Sequence, residues 1–161
     1  MLFEPAQKLI LIAENARSAQ EARNRLSRVG LERVIGYSLA DEAQWRKLGI
    51  ELGSISTHHC ADVSPVLKRD PSLQLVDVRS RAEWLKGHLP GAISVPLLDL
   101  ETKARSMDRT KRNLVYCHEG YRATTAASIL LRESDANIGI LIDGVEGWSA
   151  SGLPLELPGN R

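Results

Sequence analysis

The chain has 161 residues, 43% of them hydrophobic and 4% aromatic, which is enough for one packed and mainly aliphatic core. Lys and Arg number 21 against 20 Asp and Glu, a net charge of +1, and no basic run is long enough to suggest nucleic acid. No apolar run approaches a membrane span, residues 1–5 (MLFEP) lack a signal layout, and two cysteines make no disulfide framework, so a reducing cytoplasmic setting is expected.

In chain order, residues 8–13 (KLILIA) read as a buried strand. Ser18 and Glu21 have capping-box spacing, and Ala19, Ala22, Leu26 and Val29 form one apolar helical face that stops at Gly30. Residues 34–37 (VIGY) read as a second strand, and a piece from Ala43 through Trp45 to Leu52 closes the region. Residues 53–56 (GSIS) are the expected boundary, which makes residues 1–53 a first unit and 54–161 a second. Thr57, His58, His59 and Cys60 include soft metal ligands but no evident four-ligand set, so they are expected in a loop before a helix containing Pro65. No metal or cofactor is called for.

Residues 73–78 (LQLVDV) have the near-continuous apolar content of a buried parallel strand. Ser80 and Glu83 make a second capping box, opening a helix that Gly87 closes. His88 stands in a turn before Pro90 and Gly91, where an imidazole bracing the loop is favoured over a catalytic one. Residues 93–95 read as a short strand, and Leu97, Leu98 and Leu100 begin a helix facing the core. Residues 103–112 hold five basic side chains broken by polar ones, a solvated connection.

The centre of the chain is residues 113–131, NLVYCHEGYRATTAASILL. A short apolar run delivers Cys117 to its end, the loop His118, Glu119, Gly120, Tyr121 follows, and Arg122 opens a segment whose Ala123, Ala126, Ala127, Leu130 and Leu131 recur at helical spacing. A strand that ends on a cysteine and turns directly into a helix suits anion chemistry. Unpaired N–H groups converge on the sulfur and the helix dipole favours negative charge there. Such surroundings lower a thiol pKa, so a nucleophilic thiolate is expected. Arg122 adds a fixed cation suited to an oxyanion or carboxylate. Residues 138–142 (IGILI) supply another buried strand, and Trp148 is expected to pack on the sheet's rim. Strands alternating with helices predict a parallel α/β sheet with its ligand beyond the strands' carboxyl ends, where Cys117 sits. Asp77 and Arg79 end another strand and could brace the loop, although an ordinary structural ion pair is the simpler role.

The first unit repeats the second half of the next. LILIAENARSAQEARNRL lies beside LVYCHEGYRATTAASILL, and Trp45 and Gly49 lie beside Trp148 and Gly152. Ala13 stands where Cys117 stands, so this half-repeat is expected to be chemically silent. Two strands and a helix cannot bury their apolar faces alone, so the segment is expected to pack on the second unit, on a copy of itself or on upstream chain.

The loop of Cys117, four residues and Arg122 resembles the active loop of the rhodanese (sulfurtransferase) family. Leu75 through Arg79, Ala82 to Trp84 and Gly87 to Ala92 resemble that family's first motif. Asp143 to Trp148 and Gly152 to Pro154 resemble its closing one, and the resemblance spans residues 54–157. It implies a rhodanese-like parallel sheet flanked by helices, preceded by a partial rhodanese-like α/β appendage. It further implies sulfur transfer through a Cys117 persulfide held by residues 118–123, with Asp77, Arg79 and His88 supporting. The donor would be thiosulfate or a persulfide, and the acceptor cyanide or a thiol. Pairs of an incomplete unit before an active one resemble metallo-β-lactamase-like/rhodanese fusions, which would place a metal-binding domain upstream. Two alternatives remain: a non-catalytic rhodanese-type binding module, and a cysteine phosphatase or arsenate reductase. The latter use five intervening residues in the loop, and this chain has four.

Overall fold

The computed structural model describes residues 3–104, 107–133 and 137–158. The readings of residues 1–5 and 103–112 therefore fall partly outside the described residues. The chain divides into two compact units, Met1–Gly53 and Ser54–Arg161.

In the first unit, β1 (Leu9–Ala13) pairs in parallel with β2 (Val34–Leu39), joined by α1 (Ala16–Ser27) and followed by α2 (Glu42–Lys47). The strand expected to be buried is covered on one side only. Leu9, Leu11 and Ala13 are half-buried, whereas Ile10 and Ile12 are 67% and 66% exposed, together with Ile35 and Tyr37 of β2. Two strands offer one helix a single face, and period-2 alternation leaves the other uncovered. The expected cap also moves. Asn15 Oδ1 accepts from the Ser18 N–H at 2.9 Å, so the helix starts earlier, and Glu21 pairs with Arg17 instead of closing a box on Ser18. Val29 lies past the helix end and is 67% exposed, outside the apolar face assigned to it.

The second unit is a five-stranded, all-parallel sheet in the order β3 (Ser56–His58), β7 (Asn137–Leu141), β6 (Arg112–Tyr116), β4 (Leu73–Asp77), β5 (Ile93–Ser94). Its helices are α3 (Cys60–Val63), α4 (Arg81–Trp84), α5 (Leu100–Lys103), α6 (Tyr121–Glu133) and α7 (Gly144–Ala150). The expected loop at Thr57 and His58 is thus an edge strand, and Pro65 falls beyond α3. A proline there needs no helical N–H partner.

β6 is the middle strand, and its side chains alternate between two cores. Val115 and Cys117 join α5 and α6 residues such as Leu100, Ala126, Ala127 and Leu130 on one face. Leu114 and Tyr116 join Val63, Trp84, Val145 and Trp148 on the other. Each large apolar side chain fully buried there contributes about 1.5–3 kcal/mol. The alanines let α6 approach the sheet closely, which fixes where its first turn meets Cys117. Leu97 and Leu98 lie in a 3-10 turn, and Leu98 is 70% exposed, so of the expected core-facing leucines Leu100 alone is fully buried.

Candidate active site

β6 ends at Tyr116, and Cys117 follows at the carboxyl edge of the sheet. Its sulfur accepts the Gly120 N–H at 3.1 Å. Gly120 has φ +97°, and a Cβ there would stand 2.7 Å from the Ile142 carbonyl oxygen, so the loop closes on the sulfur only with glycine at this place. The next residues enter α6, whose first-turn N–H groups have no acceptor within the helix. Thr124, one step further, already donates to the Gly120 carbonyl at 3.0 Å. The result is a cup of about 160 Å³ lined by Cys117, His118, Glu119, Tyr121 and Arg122. Cys117 forms the floor with 1% of its surface exposed, Tyr121 is 82% exposed at the lip, and Ala123 is packed in the core.

A second set of contacts fixes the peptide planes of the loop. The Val145 N–H donates to the Cys117 carbonyl at 3.0 Å and the Glu146 N–H to the His118 carbonyl at 3.2 Å. Gly144, with φ +57°, lies so close that a Cβ would overlap both carbonyl oxygens. Turning those carbonyls toward α7 turns the N–H groups on the same peptide planes the other way. Asp143, just before, takes the Cys60 N–H at 3.0 Å and the His59 ring at 2.9 Å, which ties α7 to the end of β3. Burial alone would raise the Asp143 pKa, but the Cys60 N–H and His59 hold it below the ordinary value. The sequence pointed to this segment by resemblance and gave its residues no task.

Arg122 is held in place. Its Nη1 and Nη2 each donate at 2.8 Å to Glu83, one to either carboxylate oxygen. Glu83 is the residue that closes the capping box with Ser80, as the sequence predicts. The Arg122 hydrogen bonds, followed by those of Ser80, hold the Glu83 carboxyl well below the usual carboxylate range. Held by both carboxylate oxygens, the guanidinium has a fixed orientation at the wall of the cup.

The three supporting residues do not line the cup. Asp77, fully buried, accepts from Arg79 through Nε and Nη2, and Nη2 also donates to the Gly87 carbonyl at 2.7 Å. Burial would lower the Arg79 pKa, but the Asp77 hydrogen bonds and charge raise it above its ordinary value. His88 is buried, stacked on Trp84 at 3.5 Å between ring centroids, and its backbone pairs with Glu156. All three brace the turn between α4 and β5. Trp148 is 2% exposed, with its indole N–H on the Pro154 carbonyl at 2.9 Å.

The ligand-rich run before α3 is dispersed: His58 contacts Ser56, His59 contacts Asp143, and the Cys60 thiol donates to the Gly144 carbonyl. Burial, and then the Asp143 charge, push the Cys60 thiol up to about 11. At the lip of the cup, His118, Glu119 and Glu146 bring ligand atoms within 4.8 Å of one another, all three exposed.

A thiol at the base of a small cup, at the carboxyl end of a parallel sheet, stands where such a fold takes its ligand. The rhodanese-like domain family matches residues 66–151, and the chain belongs to that family. A thiosulfate sulfurtransferase of Coxiella burnetii is 29% identical over 85 residues, which is 53% of this chain and 78% of that protein. A protein of Bacillus subtilis provisionally named a sulfur carrier is 29% identical over 80 residues, and this chain spans 43% of its length. The crystal structure of a rhodanese-related protein from Thermoplasma volcanium is 26% identical with a TM-score of 0.58, covering 63% of this chain and 98% of that one. Among the described residues no helix is long and apolar enough to cross a membrane.

Proposed function

We propose that the chain is a sulfurtransferase that carries a sulfane sulfur on Cys117. The observation that supports this most is the Cys117 sulfur at the base of its cup, already holding the Gly120 N–H at 3.1 Å. In the first half-reaction the Cys117 thiolate attacks the outer sulfur of thiosulfate or of a persulfide. The donor's S–S bond breaks, and sulfite or a thiolate leaves with the electron pair. In the second, cyanide or a thiol attacks the outer sulfur of the Cys117 persulfide and the thiolate is restored. The sulfane sulfur passes from donor to acceptor through Cys117, and no external oxidant or reductant is needed.

The protein's contribution is to stabilise charge on the outer sulfur. The loop and first-turn N–H groups from His118 to Ala123 are preorganised donors, and such donors are worth more where water is excluded. The first unit carries Ala13 at the place matching Cys117 and takes no part in this chemistry.

The experiment is steady-state transfer of sulfur to cyanide, read as thiocyanate. Wild type is expected to show double-displacement kinetics, with donor and acceptor each changing the apparent KM of the other. Cys117→Ser is expected to be inactive with every donor. Turnover surviving in that variant would remove Cys117 from the reaction.

A further inference from the structure

A larger groove shares a wall with the cup. Arg122 lines both, and beyond it lies a concavity of about 420 Å³ walled by Val78, Pro96, Leu97 and Leu98. Its nearness to the thiol follows from sheet register. Asp77 pairs with Tyr116, so Val78 and Cys117 leave adjacent strands side by side, and the Val78 N–H donates to the Tyr116 carbonyl at 3.0 Å. Such a groove is far larger than one sulfur atom needs.

Its charges are uneven. Arg122 is committed to Glu83, and Asp99 is paired with Lys103 at 3.3 Å. Arg81 also lines the groove, is exposed, and has no ion-pair partner among the described residues. On the other side of the cup, Glu119 and Glu146 place two exposed carboxylates at the lip. A dianion such as thiosulfate meets like charge at the reacting end. A persulfide carries one charge there, and a carboxylate elsewhere on its organic body could meet Arg81. Leu98, left 70% exposed where a core position was expected, adds apolar surface to the same groove.

We infer that this groove holds the organic body of the donor, with Arg81 receiving its carboxylate. The preferred substrates are then persulfides of carboxylate-bearing thiols, such as amino-acid or peptide thiols. This deepens the sulfurtransferase reading and rests on it. The step is the one already balanced: R–S–S⁻ gives its outer sulfur to Cys117 and leaves as R–S⁻.

Two measurements on the full chain test this separately from the chemistry. In Cys117→Ser, titration with the unreactive thioether S-methylglutathione, followed by NMR, is expected to show saturable shifts around Leu97 and Leu98, and Arg81→Glu in that background is expected to weaken them. In the active protein, the ratio of kcat/KM for glutathione persulfide to that for inorganic disulfide is expected to fall about fivefold in Arg81→Gln. Leu98→Asp, at an exposed position, is expected to lower the same ratio. A ratio unchanged in both variants, or binding indifferent to Arg81, overturns the inference. If no donor loads Cys117 but S-methylglutathione binding still depends on Arg81, the groove stands and the sulfurtransferase reading falls.

Discussion

Glu83 and Arg122, 39 residues apart in sequence, face each other fork to fork, with two hydrogen bonds of 2.8 Å. Glu83 caps α4 while Arg122 lies in the first turn of α6, so one carboxylate fixes a helix start and the mouth of the Cys117 loop together. Bidentate pairing gives direction as well as energy, which a lysine in place of Arg122 would not reproduce.

Glu83→Gln is expected to destabilise the chain by about 1–2 kcal/mol near neutral pH, since it removes the charge from a pair that is only about one-third exposed. The sign with pH follows from the depressed folded-state pKa of Glu83. Its stabilisation is fully present above the unfolded carboxylate value of about 4.3 and is lost progressively as pH falls from there through the far lower folded-state value. Denaturant titrations of wild type and variant should therefore differ most at pH 7, with the gap narrowing steadily once the pH drops below that unfolded value. A gap that does not narrow on acidification would mean that the charge of Glu83 is not what matters.

Gly144→Ala should abolish or severely impair persulfide formation, because its Cβ would displace the carbonyls that orient the loop. Gly91→Ala is the control. Gly91 also has a positive φ, +71°, but nothing lies within 4 Å of the added Cβ. Both carry a left-handed backbone penalty of about 1–2 kcal/mol, yet only Gly144→Ala should lose transfer in folded protein. Equal losses in the two would point to general destabilisation.

Cys60 and Cys117 are both buried, but their surroundings differ. Burial pushes the Cys60 thiol up to about 11, with its Sγ donating to a carbonyl, whereas Cys117 accepts an N–H on the floor of an open cup. Cys60→Ala is expected to retain sulfur transfer, measured as the rate of Cys117 loading. A loss of loading in a variant with native circular dichroism would assign Cys60 a part in the chemistry.

The local features were legible in the sequence. The change from an apolar run to helical spacing at Cys117 located the loop, and Ser80 and Glu83 announced their helix start because a capping box is satisfied within three residues. What the sequence did not disclose was long-range. Glu83 meets Arg122, and α7 amides meet the carbonyls of Cys117 and His118, only after the sheet brings their strands into register. Leu98 misled because a leucine's burial depends on what packs opposite, and here the 3-10 turn aims it outward. Ser18 misled for a different reason: Asn15, an equally good cap, lies three residues earlier and takes its N–H.

The most direct measurement is the mass of the peptide containing Cys117 after incubation of the whole chain with a persulfide donor and removal of excess reagent. The account predicts one added sulfur atom on Cys117, none on Cys60, and its loss on adding cyanide. A Cys117 peptide of unchanged mass with every donor, or a sulfur found on Cys60 instead, would contradict it.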